Sequence, residues 1–390
     1  MALAMIQEGA EPPHYCEGSA RLRLGAGFFR PESRPARDFS VLLVRSLARQ
    51  GPLQLLDLMA GCGIRSLRWG LEAQAAVIWA NDADPDRLPL LEHNLAELPA
   101  GVERRCTTLT AQQLLAGCLQ RQQRFELVDL DAFGCVSALL PLALEAVSFD
   151  GVLMLASTDG RSPTGHDRSA AVRRLGAAAR AHPASWELAL RLQLGTVARS
   201  AWALGRGIEP LLNFSEGRTF RTAVRLLRRP RPGEEANLGM LAHCHGCGDQ
   251  QVQSLLQLRR WQPCGCPSPP VPPLAVSGPL WIGGLQHPAT ISTMLEQAAL
   301  APQTLAAEGE RLLRRLMADP AATARCWPTE AIARALGLGQ PPLAPLVTAL
   351  QQQGFSAAAS AVMAGQLRSE APWPRILETA RSVLAATAAK

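Results

Sequence analysis

The run Leu55-Leu56-Asp57-Leu58-Met59-Ala60-Gly61-Cys62-Gly63 restricts the folds open to this chain more than any other stretch. It reads as an apolar strand that ends in a carboxylate and turns through two glycines. Glycine has no Cβ, so the turn, and the helix that follows it, can bring backbone N–H groups close to a ligand. The third glycine of the dinucleotide fingerprint G-x-G-x-x-G is missing, since Ser66 stands there. That spacing favours S-adenosylmethionine over a nicotinamide dinucleotide. Asp57, Gly61 and Gly63 are therefore candidate cofactor residues. A second apolar piece, Ala75 to Ala80, runs into Asn81-Asp82, which puts another carboxylate at a strand end to accept ribose hydroxyls. Two acidic strand ends with a helix-length segment between them predict a βαβ unit.

The alternation continues. Strand-like pieces at Leu55–Leu58, Val77–Ala80, Phe125–Leu130, Gly151–Ser157 and Thr222–Leu227 are separated by helical ones, the pattern of a doubly wound α/β sheet. Before it lie a short extended section, Ala20 to Phe29, and a helical run, Phe39 to Arg49. A boundary is expected at Arg228-Arg229-Pro230-Arg231-Pro232-Gly233, dividing residues 1–230 from 231–390. After Gln286 the chain reads as mostly helical, with Thr329–Leu336 and Leu343–Gln352 resembling a helix–turn–helix pair.

Several function classes drop out on composition. The apolar runs, such as Gly151 to Ala156, stop far short of the roughly 20 residues a membrane helix requires. The first residues lack a basic region followed by an apolar core, so no secretory signal is expected. Of the 10 cysteines, Cys16, Cys62, Cys106, Cys118, Cys135 and Cys326 are scattered singly, which fits a reducing compartment and a cytoplasmic protein. The net charge of +6 is local: 14 arginines face 4 acids between Arg161 and Arg231, and the remaining chain is net negative. An anionic partner such as nucleic acid is one reading of that stretch and a solvated basic face the other. Lys390 is the sole lysine, so base composition of the genome could also underlie the arginine content.

Two constellations carry chemistry. Phe125 to Asp131 runs into Ala132-Phe133-Gly134, which presents acidic side chains where a parallel sheet exposes its strand ends. The lone pair of an exocyclic amino group on a purine is delocalised into the ring. A carboxylate that accepts one N–H raises electron density on nitrogen as a bond to a methyl group forms. Asp131 is the expected catalytic residue, with Asp129 a weaker candidate on the same strand face, and Phe133 is placed to stack on a base. Both acids could instead merely cap the next helix. Cys135, beside the turn, would suit ring-carbon methylation, but no base is evident near it. The second constellation is His243-Cys244-His245-Gly246-Cys247 followed by Cys264-Gly265-Cys266. Four thiolates in two close pairs can close a structural zinc site; the second pair is tight, and His243 or His245 could replace one ligand.

Together these residues resemble the tRNA guanine-26 N2-dimethyltransferase family along most of the chain. Glu17-Gly18, Gly27-Phe28-Phe29-Arg30-Pro31 and Arg37-Asp38-Phe39-Ser40 are similar to its E-G, F-Y-N-P and N-R-D-L-S elements. Gly63-Ile64-Arg65, Asn81-Asp82 and Asp129-Leu130-Asp131-Ala132-Phe133-Gly134 match its G-I-R, N-D and D-x-D-P-F-G in order. Glu187 to Leu192, Ile208 to Leu212, Phe220-Arg221 and Gly278-Pro279-Leu280-Trp281-Ile282-Gly283 follow. The resemblance implies a Rossmann-like methyltransferase domain over residues 1–230. It implies a smaller, largely helical domain over 231–390 that carries zinc in segment 243–266 and contacts tRNA. It further implies that Arg37, Arg65 and Asp82 contact S-adenosylmethionine, with Ala111 beside the adenine, and that Asp131 serves the target amino group. Cys244, Cys247, Cys264 and Cys266 would hold zinc, and no protein partner is implied. Three positions depart from the pattern: Ala132 replaces proline, Thr110-Ala111 stands for a D-A pair, and the second cysteine pair is one residue short. The competing expectation is a zinc-containing RNA-binding protein of the same fold without turnover.

Overall fold

The protein is described here from a computed structural model covering residues 14–47, 51–266 and 274–388. A hairpin of β1 (His14–Glu17) and β2 (Ala20–Arg23) leads to helix α1 (Arg34–Leu47). Strands and helices then alternate through β3 (Leu53–Asp57), α2 (Ile64–Glu72), β4 (Ala75–Asn81), α3 (Leu88–Leu95) and β5 (Glu103–Thr107). Next come α4 (Ala111–Gln120), β6 (Phe125–Asp131), α5 (Leu140–Ala146) and β7 (Val147–Ser157). After α6 (Arg168–Leu175) and α7 (Ser185–Ala203), β8 (Gly207–Glu216) and β9 (Thr219–Leu227) complete a seven-stranded sheet. Its order is β5-β4-β3-β6-β7-β9-β8; the first five strands are parallel, β9 runs against them, and β8 pairs antiparallel with β9. The direction of winding reverses between β3 and β6. A crevice opens beyond the carboxyl ends of strands at such a point.

Strand side chains alternate between the two faces of the sheet, as a period of two demands. Leu55, Ile78, Leu127 and Met154 enter one core, with α1 and α2. Leu56, Trp79, Val128 and Leu153 enter the other, with α4, α5 and α7. The first core also takes in Ile291 and Met294 of α8 (Pro288–Leu300) and Leu312, Leu313 and Leu316 of α9 (Ala307–Ala318).

Sequence and structure differ where the apolar signal is weak. The edge strand β5 (Glu-Arg-Arg-Cys-Thr) carries no apolar run, and β8 contains Pro210, so neither was expected. The extended section ends at Arg23, and α1 starts earlier than expected, at Arg34; residues 48–49 of the expected helix lie outside the described residues. The C-terminal part holds two three-stranded sheets in addition to its helices. One is β11-β10-β12, formed by β10 (Leu238–His243), β11 (Gln250–Ser254) and β12 (Ala275–Trp281). The other joins β13 (Cys326–Pro328), β14 (Ala357–Ala359) and β15 (Gln366–Ser369). Strands of three or four residues are too short to show a period. The helix pair is as expected, α10 (Thr329–Leu336) and α11 (Leu343–Gln352), and packs on α12 (Trp373–Ala388).

A buried ion cluster ties this last unit to the main sheet. Arg368 of β15 donates to both oxygens of Glu187 on α7, at 2.6 and 2.7 Å, and to Asp319 at 2.7 and 3.1 Å. Arg191 donates to Glu187 at 2.7 Å and to the carbonyls of Trp281, Gly283, Ala321 and Thr323. Burial alone would raise the Glu187 carboxyl, but Arg368 and Arg191 hold it at about 2. The folded value lies below the ordinary one, so this stabilisation is present above pH 4.5 and is lost as pH falls toward 2. Arg368→Met leaves the buried Asp319 without its cation and Glu187 with Arg191 alone, and is expected to cost about 3–5 kcal/mol in urea unfolding at pH 7. The variant should also lose stability less steeply than the wild type between pH 5 and 3. Parallel acid profiles for the two proteins would contradict this account.

Candidate active site

The crevice at the reversal point is a cleft of about 500 Å³, walled by the preface residues Gly27 to Arg30, the turn Met59 to Cys62, Asp82 to Asp84, and Asp131 to Phe133. Gly61 and Gly63 both adopt positive φ, +56° and +77°, which a side chain would strain. Space is tight behind Gly63, where a Cβ would meet Leu91 at 3.0 Å; at Gly61 it would meet nothing, because that residue faces the cleft. Asp82 holds the turn in place. Its Oδ2 accepts from Gly61 N at 2.9 Å and its Oδ1 from Asp84 N at 3.0 Å. Asn81, fully buried, ties three loops together through Leu58 O, Leu109 O, Leu109 N and Thr107 Oγ1.

Three carboxylates converge at the ends of β3 and β6. Asp57 accepts from Ser66 Oγ at 2.8 Å through Oδ2, and its buried Oδ1 has no partner among the described residues. Arg65, on the first turn of α2, donates to Asp129 Oδ2 and, at 3.2 Å, to Asp131 Oδ2. Arg221 of β9 donates to the same Asp131 oxygen at 3.1 Å. Burial pushes the Asp57 carboxyl up to about 6 and that of Asp129 to about 7, only partly opposed by Arg65. Asp131 goes the other way: burial would raise it, but Arg221 and Arg65 hold it well below the usual carboxylate range. It is therefore an anion at neutral pH. Both bonds fall on Oδ2, and the side chain, 28 % exposed, lines the cleft.

Phe133 is 74 % exposed and meets Phe28, 70 % exposed, edge to face at a centroid distance of 5.2 Å. Two large aromatic rings left in solvent at the mouth of a cleft form a ready surface for a planar base. The turn that carries Phe133 lacks the family proline. It is fixed instead by Gly134, whose N donates to Thr158 Oγ1 at 2.7 Å and whose carbonyl accepts from Ser157 Oγ at 2.8 Å.

Of the other expected residues, Arg37 lines the cleft with its guanidinium occupied by Glu17, at 2.6 and 2.8 Å, and by the carbonyls of Arg30 and Pro31. Ala111 is buried in the first turn of α4, behind the Thr110–Gln113 capping box, and does not line the cleft. Cys135 sits against Ser137 Oγ at 3.4 Å, outside the cleft lining. Arg221 and Glu216 were given no role by the sequence reading. A charge within Thr219-Phe220-Arg221-Thr222-Ala223-Val224, a stretch otherwise without charge, was the available signal.

Far along the chain, the Sγ atoms of Cys244, Cys247, Cys264 and Cys266 lie within 4.8 Å of one another, and Cys244 Sγ is 3.6 Å from those of Cys264 and Cys266. Zinc bound to four thiolates at ~2.3 Å sets sulfur–sulfur edges near ~3.8 Å, so this donor set fits a metal ion despite the short second pair. Gly246 makes room, since a Cβ there would lie 3.1 Å from Cys266 Sγ. His243 and His245 pack on each other edge to face and are not part of the sulfur cluster.

Comparison with known proteins agrees with this geometry. The model of the N2,N2-dimethylguanosine tRNA methyltransferase family matches residues 23–381. A protein of Methanocorpusculum labreanum named tRNA (guanine(26)-N(2))-dimethyltransferase is 29 % identical over 361 residues, covering 91 % of this chain and 89 % of that one. A protein of the same name from Thermococcus kodakarensis is 28 % identical, covering 91 % and 93 %. The solved structure of Trm1 from Pyrococcus horikoshii with S-adenosyl-L-methionine superposes with a TM-score of 0.82 at 24 % identity, over 94 % of this chain and 99 % of that one. The match runs from the second strand to the last helix and includes the cleft and the cysteine cluster, so the chain belongs to the N2,N2-dimethylguanosine tRNA methyltransferase family.

Proposed function

We propose that this chain transfers methyl groups to the exocyclic N2 of a guanine in tRNA, at position 26 as in its named relatives, giving N2-methyl- and N2,N2-dimethylguanosine. The observation that carries the reading is the Asp131 carboxylate, kept anionic and pinned through one oxygen beside a glycine turn and two exposed aromatic rings. S-Adenosylmethionine, when bound, supplies a methyl group on a cationic sulfur. Asp57, Gly61, Gly63 and Asp82 would line its site, with Arg37 and Arg65 behind it. Asp131 Oδ1 accepts one N2–H, which raises electron density on nitrogen while the N–C bond forms. The proton that nitrogen loses leaves through the same oxygen to solvent, because a carboxyl held so low does not retain it. Phe28 and Phe133 receive the base once it is rotated out of its stack.

The positive stretch 161–231 supports tRNA binding in a narrower way than its charge count suggests. Arg174, Arg191, Arg206, Arg221, Arg225 and Arg231 pair with acids. Arg161 and Arg218, both exposed, enter no ion pair among the described residues, and they neighbour Thr158 and Thr219 of the cleft wall. They are our candidates for phosphate contacts. Residues 1–230 would be the methyltransferase domain and 231–390 the part that bears structural zinc and touches tRNA elsewhere, in a cytoplasmic protein. Among the described residues no helix is long and apolar enough to cross a membrane.

Four measurements test this. With labelled donor and unmodified tRNA, the wild type should methylate N2, and replacing guanine-26 should abolish incorporation. Asp131→Asn should lower kcat by about 100- to 1,000-fold, the scale of losing one aimed electrostatic group, while donor binding persists. Equal turnover in that variant would remove the mechanism. Arg161→Ala combined with Arg218→Ala should raise KM for tRNA at unchanged donor affinity and flatten the salt dependence of binding by roughly two phosphate contacts; an unaltered salt slope would exclude both residues. Elemental analysis should find about one zinc per chain, reduced by Cys264→Ser, and a metal-free protein purified without chelator would overturn the assignment.

A further inference from the structure

Asp131 is not positioned by its own strand alone. The carboxylate ends β6, where a free Asp side chain has several rotamers and two equivalent oxygens. Two guanidinium groups reach it from different elements, and they differ in what else they do. Arg65 is shared, since it also serves Asp129. Arg221 is tied on its far side to one acid: its Nε donates to Glu216 Oε2 at 2.6 Å. Glu216 is anchored in turn, its Oε1 accepting from Ala36 N in the first turn of α1 at 3.1 Å. Arg221 and Glu216 lie across the β8–β9 hairpin, where Arg221 pairs with Phe214 and Glu216 with Thr219. The result is a continuous relay from the backbone of α1, one residue before Arg37, to Asp131 Oδ2.

We propose that Glu216 and Arg221 form a positioning dyad for the methyl-transfer reaction, one that locks Asp131 by its Oδ2 so that Oδ1 alone is presented to the target amino group. This rests on the reading of Asp131 given above. Neither member of the dyad needs to touch the base. Arg221 fixes the carboxylate by a bond to one oxygen, and Glu216 fixes Arg221 in the plane that makes this bond possible. A guanidinium suits the task because its planar fork bonds two acids in set directions, which an ammonium cannot do. The ammonium of Arg221→Lys would keep charge near Asp131 but not both bonds. Arg221 is buried, so its charge is poorly screened by solvent and acts strongly on its neighbour.

The charged groups facing Asp131 are Arg221 from β9, Arg65 from α2, Asp129 on β6 itself and Asp57 from β3, with Glu216 behind Arg221. Removing the Arg221 cation leaves two acids and one shared arginine, so the Asp131 carboxyl must rise. A positioning role therefore has a signature that loss of packing does not share. The acid limb of the kcat–pH profile should move upward.

The test is a steady-state methylation assay on full-length protein and unmodified tRNA, run across pH, together with calorimetric donor binding and thermal unfolding. Arg221→Gln should lower kcat by about 10- to 100-fold with KM for tRNA changed less than about threefold, and its acid limb should lie at higher pH than that of the wild type. Arg221→Lys should restore the pH limb toward the wild type while kcat stays reduced. Glu216→Gln retains an acceptor for Ala36 N but has no charge to hold Arg221; it should give the same pattern, weaker. It carries the test if Arg221→Gln fails to fold. An Arg221→Gln enzyme with kcat within twofold of the wild type overturns the proposal. So does a rise in KM for tRNA with kcat and the acid limb unmoved, which would make Arg221 an RNA contact. Absence of methyl incorporation by the wild type would instead defeat the parent reading, so the two failures are distinguishable.

Discussion

Three carboxylates meet beyond the ends of β3 and β6, and Arg65 is what allows them to share that space. Like charges at such distances in a buried site cannot all ionise without a cation between them. Arg65 bonds Asp129 and Asp131 and lies close enough to Asp57 to oppose its rise. The position follows from the glycine turn: with Gly63 at positive φ, α2 begins at once, and its second residue projects back over the sheet edge. The same turn that frees backbone for a ligand thus aims the arginine that conditions Asp131. The three acids end in different states: Asp131 is a firm anion, while burial keeps Asp57 near 6 and Asp129 near 7.

Arginine is spent inside this protein to an unusual degree. Arg68 is fully buried and bonds Glu17, Asp38 and Glu72 as well as the carbonyl of Thr304. Asp38 reaches on to Ala306 N, at the start of α9. One ion cluster therefore fastens the hairpin, α1, α2 and the segment before α9 into a single wall of the cleft. Breaking such pairs is costly because the remaining charges are stranded, whereas the pairs themselves add little net stability. Their contribution is geometric. Glu17, held by Arg68, also holds Arg37, whose guanidinium bonds the carbonyls of Arg30 and Pro31 at the cleft wall.

The legible part of this molecule was the part in which chemistry forces residue type. Asp57, Gly61, Asp82 and Asp131 line one cleft, with Gly63 packed against Leu91 at the turn behind it, because a parallel sheet delivers its strand ends to one edge, so alternation of strands and helices suffices to bring them together. The four cysteines were legible because a thiolate cluster needs few other cues. What remained hidden depends on contacts between distant segments. Ala111 resembles a cofactor residue by place in the motif order, yet its helix start is buried in the core. Arg65 was expected only as a donor contact; it lines the cleft and also clamps two acids. Basic composition pointed at RNA, but six of those 14 arginines pair with acids, and nothing in one dimension separates Arg221, which faces Asp131, from Arg218, which faces solvent. The sheet of β13, β14 and β15 was lost because its strands are too short to show a period, and β5 because its polar edge carries none.

The cysteine cluster stands away from the cleft, and its surroundings say what a metal there would do. Trp327 and Trp373 stack at 5.4 Å, and their indole N–H groups donate to Gly248 O and Cys247 O, both at 2.8 Å. Gln250 exchanges two hydrogen bonds with the backbone of Cys326, at 2.7 and 3.0 Å. The loop that carries Cys247 is thus the seat of the C-terminal unit, while β10 and β12 on its other side pack against α7. A metal ion closing the four thiolates would fix the one loop on which both contacts depend. Arg368, reaching Glu187 on α7, crosses the same junction by a second route. Two crosslinks of different chemistry, a thiolate cluster and a buried ion cluster, then set the angle between the C-terminal unit and the catalytic sheet.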